Sequence, residues 1–291
     1  MSTAAVGASW SLVVTDFLAI GHVARDEFEG EPTWRLGGTA LYAAATAARL
    51  GTQTALVTRV GPNEKPALEE RCAELGITLR SLPSSATTTF GFRYVEGRRF
   101  MRLKARAKGI SPDDVPVEWR TAKAVVLGSI AHELDRTLFG TTSPRATVLV
   151  AQGYLREWSA DGAITPRSWD DAEAIVPRVS AAVLSEDDVA GDLSAPRRWA
   201  RNGRVYVTLA ERGVLVLDRG TETTVPGYSV ERVVDPTGAG DAFAAGLAIA
   251  FADGRPADDC ARFANAVASF AVEGVGMESL AARARVDTRM H

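Results

Sequence analysis

The stretch Asp235-Pro236-Thr237-Gly238-Ala239-Gly240-Asp241, followed at once by AFAAGLAIAFADG, constrains this chain more than any other. Gly238 and Gly240 stand at the mouth of a long Ala-rich apolar segment, with a carboxylate at its entrance. The pattern predicts a tight turn opening onto a buried helix that starts near Ala239 and ends before Gly254-Arg255-Pro256. The first N–H groups of such a helix have no intrahelical partner, and its dipole places partial positive charge there. Glycines let a bulky anion approach that backbone, so the turn suits a phosphate or a developing oxyanion. A carboxylate beside a bound phosphate needs a chemical reason, and Asp241 reads as a general base that takes a proton from a hydroxyl. The structural alternative is an Asp that only caps the helix. Two other glycine-rich loops fail on spacing: a dinucleotide fingerprint needs Gly where Phe243 stands, and no G-x-x-x-x-G-K-[ST] occurs.

Upstream, apolar runs alternate with helical patterns, each stopped by glycine. SLVVTDFLAIG reads as the first core strand, HVARDEFEGEPTWRL as a half-exposed strand pair, and TALYAAATAARLG, after Gly37-Gly38, as an amphipathic helix. TQTALVTRVG, PALEERCAELG and ITLRSLP form one strand–helix–strand step. TTTFGFRYVEGRRFMRLKA reads as a hairpin around Glu96-Gly97, with Phe90, Phe92 and Tyr94 at period two on one face. Arg102, Lys104, Arg106 and Lys108 repeat with the same period, as a solvated strand edge or, less simply, a phosphate contact. Buried strands follow in AKAVVLG, RATVLVAQG, SAAVLS and RVYVTLAERGVLVLD, and DDCARFANAVASFAVEGVG is a further apolar helix. The sum is an α/β chain, a mostly parallel sheet with helices on both faces, and 291 residues fit one such domain. Ligands of open parallel sheets bind beyond the strands' carboxyl ends, which makes Gly128, Gln152 and Arg156 candidate site positions.

Composition excludes several classes. A net charge of -3 gives no electrostatic case for nucleic acid or an anionic membrane. Cys72 and Cys260 have no Cys or His neighbour at metal-ligand spacing, and the three histidines are scattered. The start, MSTAAVGASWSL, lacks a basic n-region and a sustained apolar core, and no apolar run reaches spanning length, so a reducing cytoplasm is expected.

The DPTGAGD motif with its small apolar helix resembles the second signature of the ribokinase-like (PfkB) carbohydrate kinase family. The family's other signature, a sugar-binding Asp at the exit of the first strand and a Gly-Gly pair soon after, is similar to GHVARD…GG here. The resemblance spans roughly residues 12 to 280. It implies a ribokinase-like fold over residues 1–291, with a small β lid built from segments of about 22–36 and 88–104 that also serves as a homodimer contact. It makes Asp241 the catalytic base and Gly238, Ala239 and Gly240 the anion hole. Asp26 orients the acceptor with Gly37 and Gly38, since a carboxylate can accept hydrogen bonds from two vicinal hydroxyls. Asp16 is a rival, and in isolation Asp26 would be a solvated surface charge.

TTTFGFRY, QGYLR and VDPTGAGDAF together look most like the myo-inositol kinase-like branch, which adds Gln152 and Arg156 to the acceptor site. The family's N-x-x-E, acting on magnesium and phosphates through water, is replaced by Ser185-Glu186-Asp187-Asp188, so Asp188 stands where that Glu would. An acid-rich helix start is the equal alternative. In the family's T-x-G-x-x-G, Thr208 and Gly213 match while Ala210 replaces the first Gly, so that turn must differ or tolerate strain. Asn265 and Gly276 carry over to the nucleotide pocket. Asp235 carries over as a holder of a monovalent cation, K+, with a turn-forming Asp as the alternative.

The function these resemblances imply is ATP- and Mg2+-dependent phosphorylation of a hydroxyl on a small sugar or polyol, inositol-like before others. A nucleoside kinase of the same fold is the second expectation. A catalytically silent sugar- or nucleotide-binding regulator is the third.

Overall fold

The computed structural model describes residues 15–96, 98–140 and 146–291. Ser11–Val14 of the expected first strand, and Gly97 of the expected hairpin turn, lie outside the described residues. In chain order the elements begin β1 (Phe17–Gly21), β2 (Ala24–Phe28), β3 (Trp34–Gly37), α1 (Thr39–Arg49), β4 (Thr54–Val60), α2 (Lys65–Leu75) and β5 (Thr78–Pro83). They continue with β6 (Thr88–Val95), β7 (Arg98–Ala105), β8 (Ala124–Gly128), β9 (Thr147–Val150), β10 (Arg156–Trp158) and β11 (Ile164–Pro166). The rest are α3 (Ala172–Ile175), β12 (Ala181–Ser185), α4 (Ser194–Trp199), β13 (Arg204–Thr208), β14 (Val214–Asp218), β15 (Thr221–Val225), α5 (Ala239–Ala252), α6 (Ala257–Ala271) and α7 (Arg283–Arg289).

Nine strands form one sheet in the order β15-β14-β13-β12-β9-β8-β1-β4-β5. From β13 to β5 every neighbouring pair is parallel; β14 and β15 close one edge antiparallel. Parallel strands are covered on both faces, which explains why the runs are apolar throughout rather than alternating. Phe17 and Ala19 of β1, with Ala181 and Val183 of β12, pack into the core under α1, α5 and α6. Leu18 and Ile20, with Ala182 and Leu184, pack into the opposite core with Trp169 and Trp199 around α3 and α4. Period-two alternation thus sorts one strand's residues into two cores.

Helix α5 runs from Ala239, as the glycine turn requires, to Ala252. Its residues Ala242 to Ala250 are all buried, so its apolar girth is explained by packing among α1, α6 and the sheet. The segments expected to form the lid make a separate four-stranded sheet, β3-β2-β6-β7, in which β2 runs parallel to β6. Phe90 is buried, but the period-two face opens toward the tip, where Tyr94 is 60% exposed. Three of the four basic residues have partners within the protein: Lys104 pairs with Glu27, Arg102 with Asp161, and Arg106 donates to the carbonyls of Ala131 and His132.

Candidate active site

The parallel strands all point their carboxyl ends at one edge, and most of the expected site residues gather there. Gly21 ends β1 and the chain passes into the lid; Gly128 ends β8, Ser185 ends β12 and Thr208 ends β13. The N-termini of α1 and α5 open onto the same edge, at Gly38 and Gly238.

Gly238 caps α5 in the left-handed region, φ 82°. A side-chain carbon there would overlap the ring of Tyr42, so the turn needs glycine for both its backbone and its space. The Ala239 N–H donates to Pro236 O at 3.3 Å, and the Ala242 N–H donates to Gly238 O at 2.8 Å. Among the described residues nothing accepts from the N–H groups of Gly240 and Asp241, which leaves two donors at the positive end of a 14-residue helix. A side-chain carbon at Gly240 would meet nothing within 4 Å, so this end of the helix is open to a ligand.

Asp241 lies in the first turn of α5, half-buried. Burial pushes its carboxyl up to about 6, against a hydrogen bond from Thr39 and the positive charge of Arg156, while the charge of Asp188 raises it further. Asp26 follows the exit of β1, in β2, and its carboxyl fills the space that a side chain at Gly37 would need. Burial lifts Asp26 to about 7; Arg99 and Arg35 of the lid pull it down and Asp241 pushes it up. The lid carboxylate thus lies close enough to the helix carboxylate to feel its charge. Asp16, the rival, sits at the other end of β1 and pairs with Lys123 at 2.8 Å. Gly38 packs against the backbone of His22 and Ala24, which pins the lid entry to the start of α1.

Gln152 opens a short 3-10 turn at the exit of β9, and Arg156 follows it directly. Arg156 is half-buried, and its guanidinium has no hydrogen-bond or ion-pair partner among the described residues. Burial lowers it to about 10, and the charges of Asp188 and Asp241 oppose that fall. One guanidinium therefore feels both the Asp241 carboxylate and the acidic loop at Asp188.

Asp188 closes a capping box: its Oδ2 accepts from Ser185 N at 2.8 Å and Ser185 Oγ at 2.9 Å. Oδ1 makes no hydrogen bond with the described residues. Glu186 is paired with Arg212 of the loop after β13, so two loops of this edge are tied together. Among the described residues no three His, Cys, Asp or Glu gather as a metal cage. A single carboxylate edge suits Mg2+ carried in by donor phosphates and held through water.

Thr208 donates to Leu184 O at 3.4 Å, and Gly213 fits where a side chain would overlap Val225 O. Ala210 adopts φ 53°, so the chain keeps the left-handed turn expected of glycine and accepts strain of about 1 kcal/mol. Asn265 is buried and its side-chain amide donates to the carbonyls of Val225 and Pro226, so it holds the loop after β15. Asp235 accepts from Thr237 N at 2.9 Å and from Gly276 N at 3.4 Å, joining the DPTG turn to the loop after α6.

Sequence reasoning missed Tyr42 and Thr39. Tyr42 is 6% exposed, lies under Gly238, and feels the charges of Asp241, Asp26 and Asp235, which with burial raise its hydroxyl well above the ordinary range. Its one sequence signal is a lone aromatic in the Ala-rich run one turn after Gly37-Gly38. Asp26, Tyr42, Asp235, Thr237 and Gly276 line a cleft of about 760 Å3 between the lid edge and the body.

A model of pfkB family carbohydrate kinases matches residues 12–283. The cytidine kinase of Thermococcus kodakarensis is 28% identical over 260 residues, covering 85% of this chain and 92% of that protein. The inositol 3-kinase of Zea mays is 32% identical over 208 residues, 67% of this chain but only 53% of the maize protein. Among solved structures, a pyrophosphate-dependent kinase in the ribokinase family, complexed with a pyrophosphate analogue and myo-inositol, superposes with a TM-score of 0.75 at 22% identity. That match covers 94% of this chain and 99% of the other, and it shows the ribokinase-like fold.

Proposed function

Because the chain belongs to the pfkB family of carbohydrate kinases, we propose that it transfers the γ-phosphoryl group of Mg2+-ATP to a hydroxyl of a small sugar or polyol, inositol-like before others. The observation that carries this reading is Asp241, a carboxylate raised to about 6, placed beside the free N–H groups at the start of α5.

Asp26, with the backbone at Gly37 and Gly38, holds two hydroxyls of the acceptor and turns a third toward Asp241. Asp241 accepts that proton as the oxygen attacks the γ-phosphorus in line, and the donor's bridging oxygen leaves with its electron pair as ADP. The N–H groups of Gly240 and Asp241, at the positive end of α5, stabilise charge on the transferring oxygens. Asp188 would hold Mg2+ through water, and the ion would supply further charge neutralisation on the donor phosphates. Thr208, Gly213 and the loop held by Asn265 bound the nucleotide side, and closure of the lid excludes water. Gly276 joins the nucleotide side, and Asp235 would hold K+ in this reading. The exposed Tyr94, Val95 and Phe100 at the lid tip give the homodimer contact its apolar surface.

A nucleoside acceptor is the second reading, favoured by the similarity to cytidine kinase over most of both chains. Coupled turnover assays over polyols, pentoses, hexoses and nucleosides, with Mg2+-ATP and Mg2+-pyrophosphate as rival donors, separate these cases when run beside Asp241→Asn. Turnover of inositol or another polyol with ATP, lost by about 1,000-fold or more in the variant, is the expected outcome. Turnover confined to nucleosides moves the acceptor to the second reading. Use of pyrophosphate alone overturns the donor, and no phosphotransfer with any pair overturns the function.

A further inference from the structure

We propose that the β10–β11 hairpin is a strut through which the lid sets the position of Arg156, and that Gly162 is the positioning residue that makes the joint possible. The inference rests on the phosphotransfer reading for what Arg156 does, though not for the joint itself.

The joint is built from three contacts. The Leu103 N–H of β7 donates to Gly162 O at 2.8 Å, and Arg102 bridges to Ala163 as a paired strand residue would. The Arg102 guanidinium reaches the Asp161 carboxylate at 3.0 Å and the Asp161 carbonyl at 3.2 Å. The turn of the hairpin therefore lies on the free edge of β7 and extends the lid sheet by one short partner. Beneath it, Trp158 and Ile164 pack with Phe90, Phe92, Met101 and Leu103, so hairpin and lid share one apolar cluster.

Gly162 is buried in this seam at φ 82°, and a side-chain carbon there would overlap Leu103 O. Any other residue must give up the left-handed turn or push the hairpin off the strand.

At its other end the hairpin begins at Arg156. The backbone carbonyl of Arg156 accepts from His132 Nε2 at 2.7 Å, and the His132 ring lies 4.8 Å from that of Trp158. The guanidinium of Arg156 has no hydrogen-bond or ion-pair partner among the described residues and feels the charges of Asp188 and Asp241. The three paired residues Arg156 to Trp158 and Ile164 to Pro166 make a ladder too short to absorb movement at its turn. A shift of the lid is thus carried to the guanidinium beside the transferring phosphoryl group. Arg156 then takes its working position only with the lid in place.

The test is a double-substitution cycle with a second readout that needs no substrate. Gly162→Ala in the wild-type background is expected to lower kcat by about 100-fold with the acceptor KM changed less than about threefold, as for a group misplaced by roughly 1 Å. In an Arg156→Ala background the same change should have almost no further effect, because the group it misplaces is already gone. Arg102→Ala, at an exposed position that spares the fold, should show the same pattern more weakly. Equal losses of kcat in both backgrounds would overturn the proposal and leave Gly162 a purely structural residue. Amide hydrogen exchange of the unliganded protein separates the joint from the function: Gly162→Ala should speed exchange together in residues 99–105 and 154–158. Exchange faster only at 160–166 would overturn the strut whether or not the protein is a kinase.

Discussion

Asp26 and Asp241 are both carboxylates displaced upward by burial, and the displacement has opposite consequences for activity and for stability. A general base must be ionised, so kcat/KM should rise with pH and level off once the pair has lost its protons. Asp241 helps to raise Asp26, so the rising limb reflects both groups and should fall near about 6 to 7. A pH–rate profile of kcat/KM checks it; a limb ending below about pH 5 would mean that the base is an unburied carboxylate. For stability the sign reverses. Asp26 goes from 3.8 in the unfolded chain to about 7 in the fold, so the folded state binds the proton more tightly. Stability is therefore lost as pH rises through that window. Asp26→Asn removes the loss: its Tm should match that of the wild type near pH 4, exceed it increasingly up to about pH 7, and stay above it by a few degrees beyond. A difference independent of pH would show that Asp26 titrates as a surface carboxylate.

The elements differ in how much of their geometry is written locally. The start of α5 was legible to the residue, because two glycines and a proline break any other continuation and Ala239 is the first position free to be helical. The strands were legible as apolar runs, and their common exit edge placed Gln152 and Arg156 at the site by topology alone. The turn at Ala210 was legible as a conflict, and the structure resolves it by strain rather than by a different turn. The seam between Leu103 and Gly162 was not legible: its partners are far apart in sequence, and Gly162 lies in a short loop that carries no period. Tyr42 was hidden for a related reason, since an aromatic in an apolar helix reads as core until its neighbour across the site is known. That neighbour gives a prediction. Gly238→Ala forces a left-handed alanine at a cost of about 1–2 kcal/mol and drives a methyl into the Tyr42 ring. The turn that aims the Gly240 and Asp241 N–H groups must shift. Turnover should drop by about 100-fold or more, with Tm lowered by only a few degrees. A variant that unfolds but, at low temperature, retains full kcat would show that this turn serves packing and not the transferring group.

Across the whole molecule, the lid is tied to the body by polar contacts at its base as well as by the small apolar cluster that joins Ala24 and Phe90 to Ile130 and Ala131. His22, neutral because burial lowers its pKa, donates from Nε2 to Lys108 O and accepts at Nδ1 from the Thr88 hydroxyl, so it clamps the chain entering β6 and the chain leaving β7. Glu133 holds the backbone of His22, Ile130 and Ala131 through its buried carboxylate. Glu64, 5% exposed, takes Arg25 of β2 at 2.8 Å and the Thr87 hydroxyl at 2.7 Å, and Thr87 in turn accepts from the Gly61 N–H. Breaking such a network at one partner leaves a buried group without its charge, at a cost of about 3–5 kcal/mol when the pair is fully desolvated. Arg25 keeps Glu27 as a second partner and is partly exposed, so the cost here should be lower, on the order of 1–2 kcal/mol. Because the lid has its own sheet, that loss should be local. For Glu64→Gln, amide exchange should quicken in residues 24–28 and 88–95, while β1, β8 and α5 keep the protection of the wild-type protein. Added acceptor should restore lid protection if closure on substrate draws the same strands back onto the body. Exchange that quickens equally in lid and main sheet would show that the two sheets unfold as one unit, and that the contacts at the lid base carry global stability.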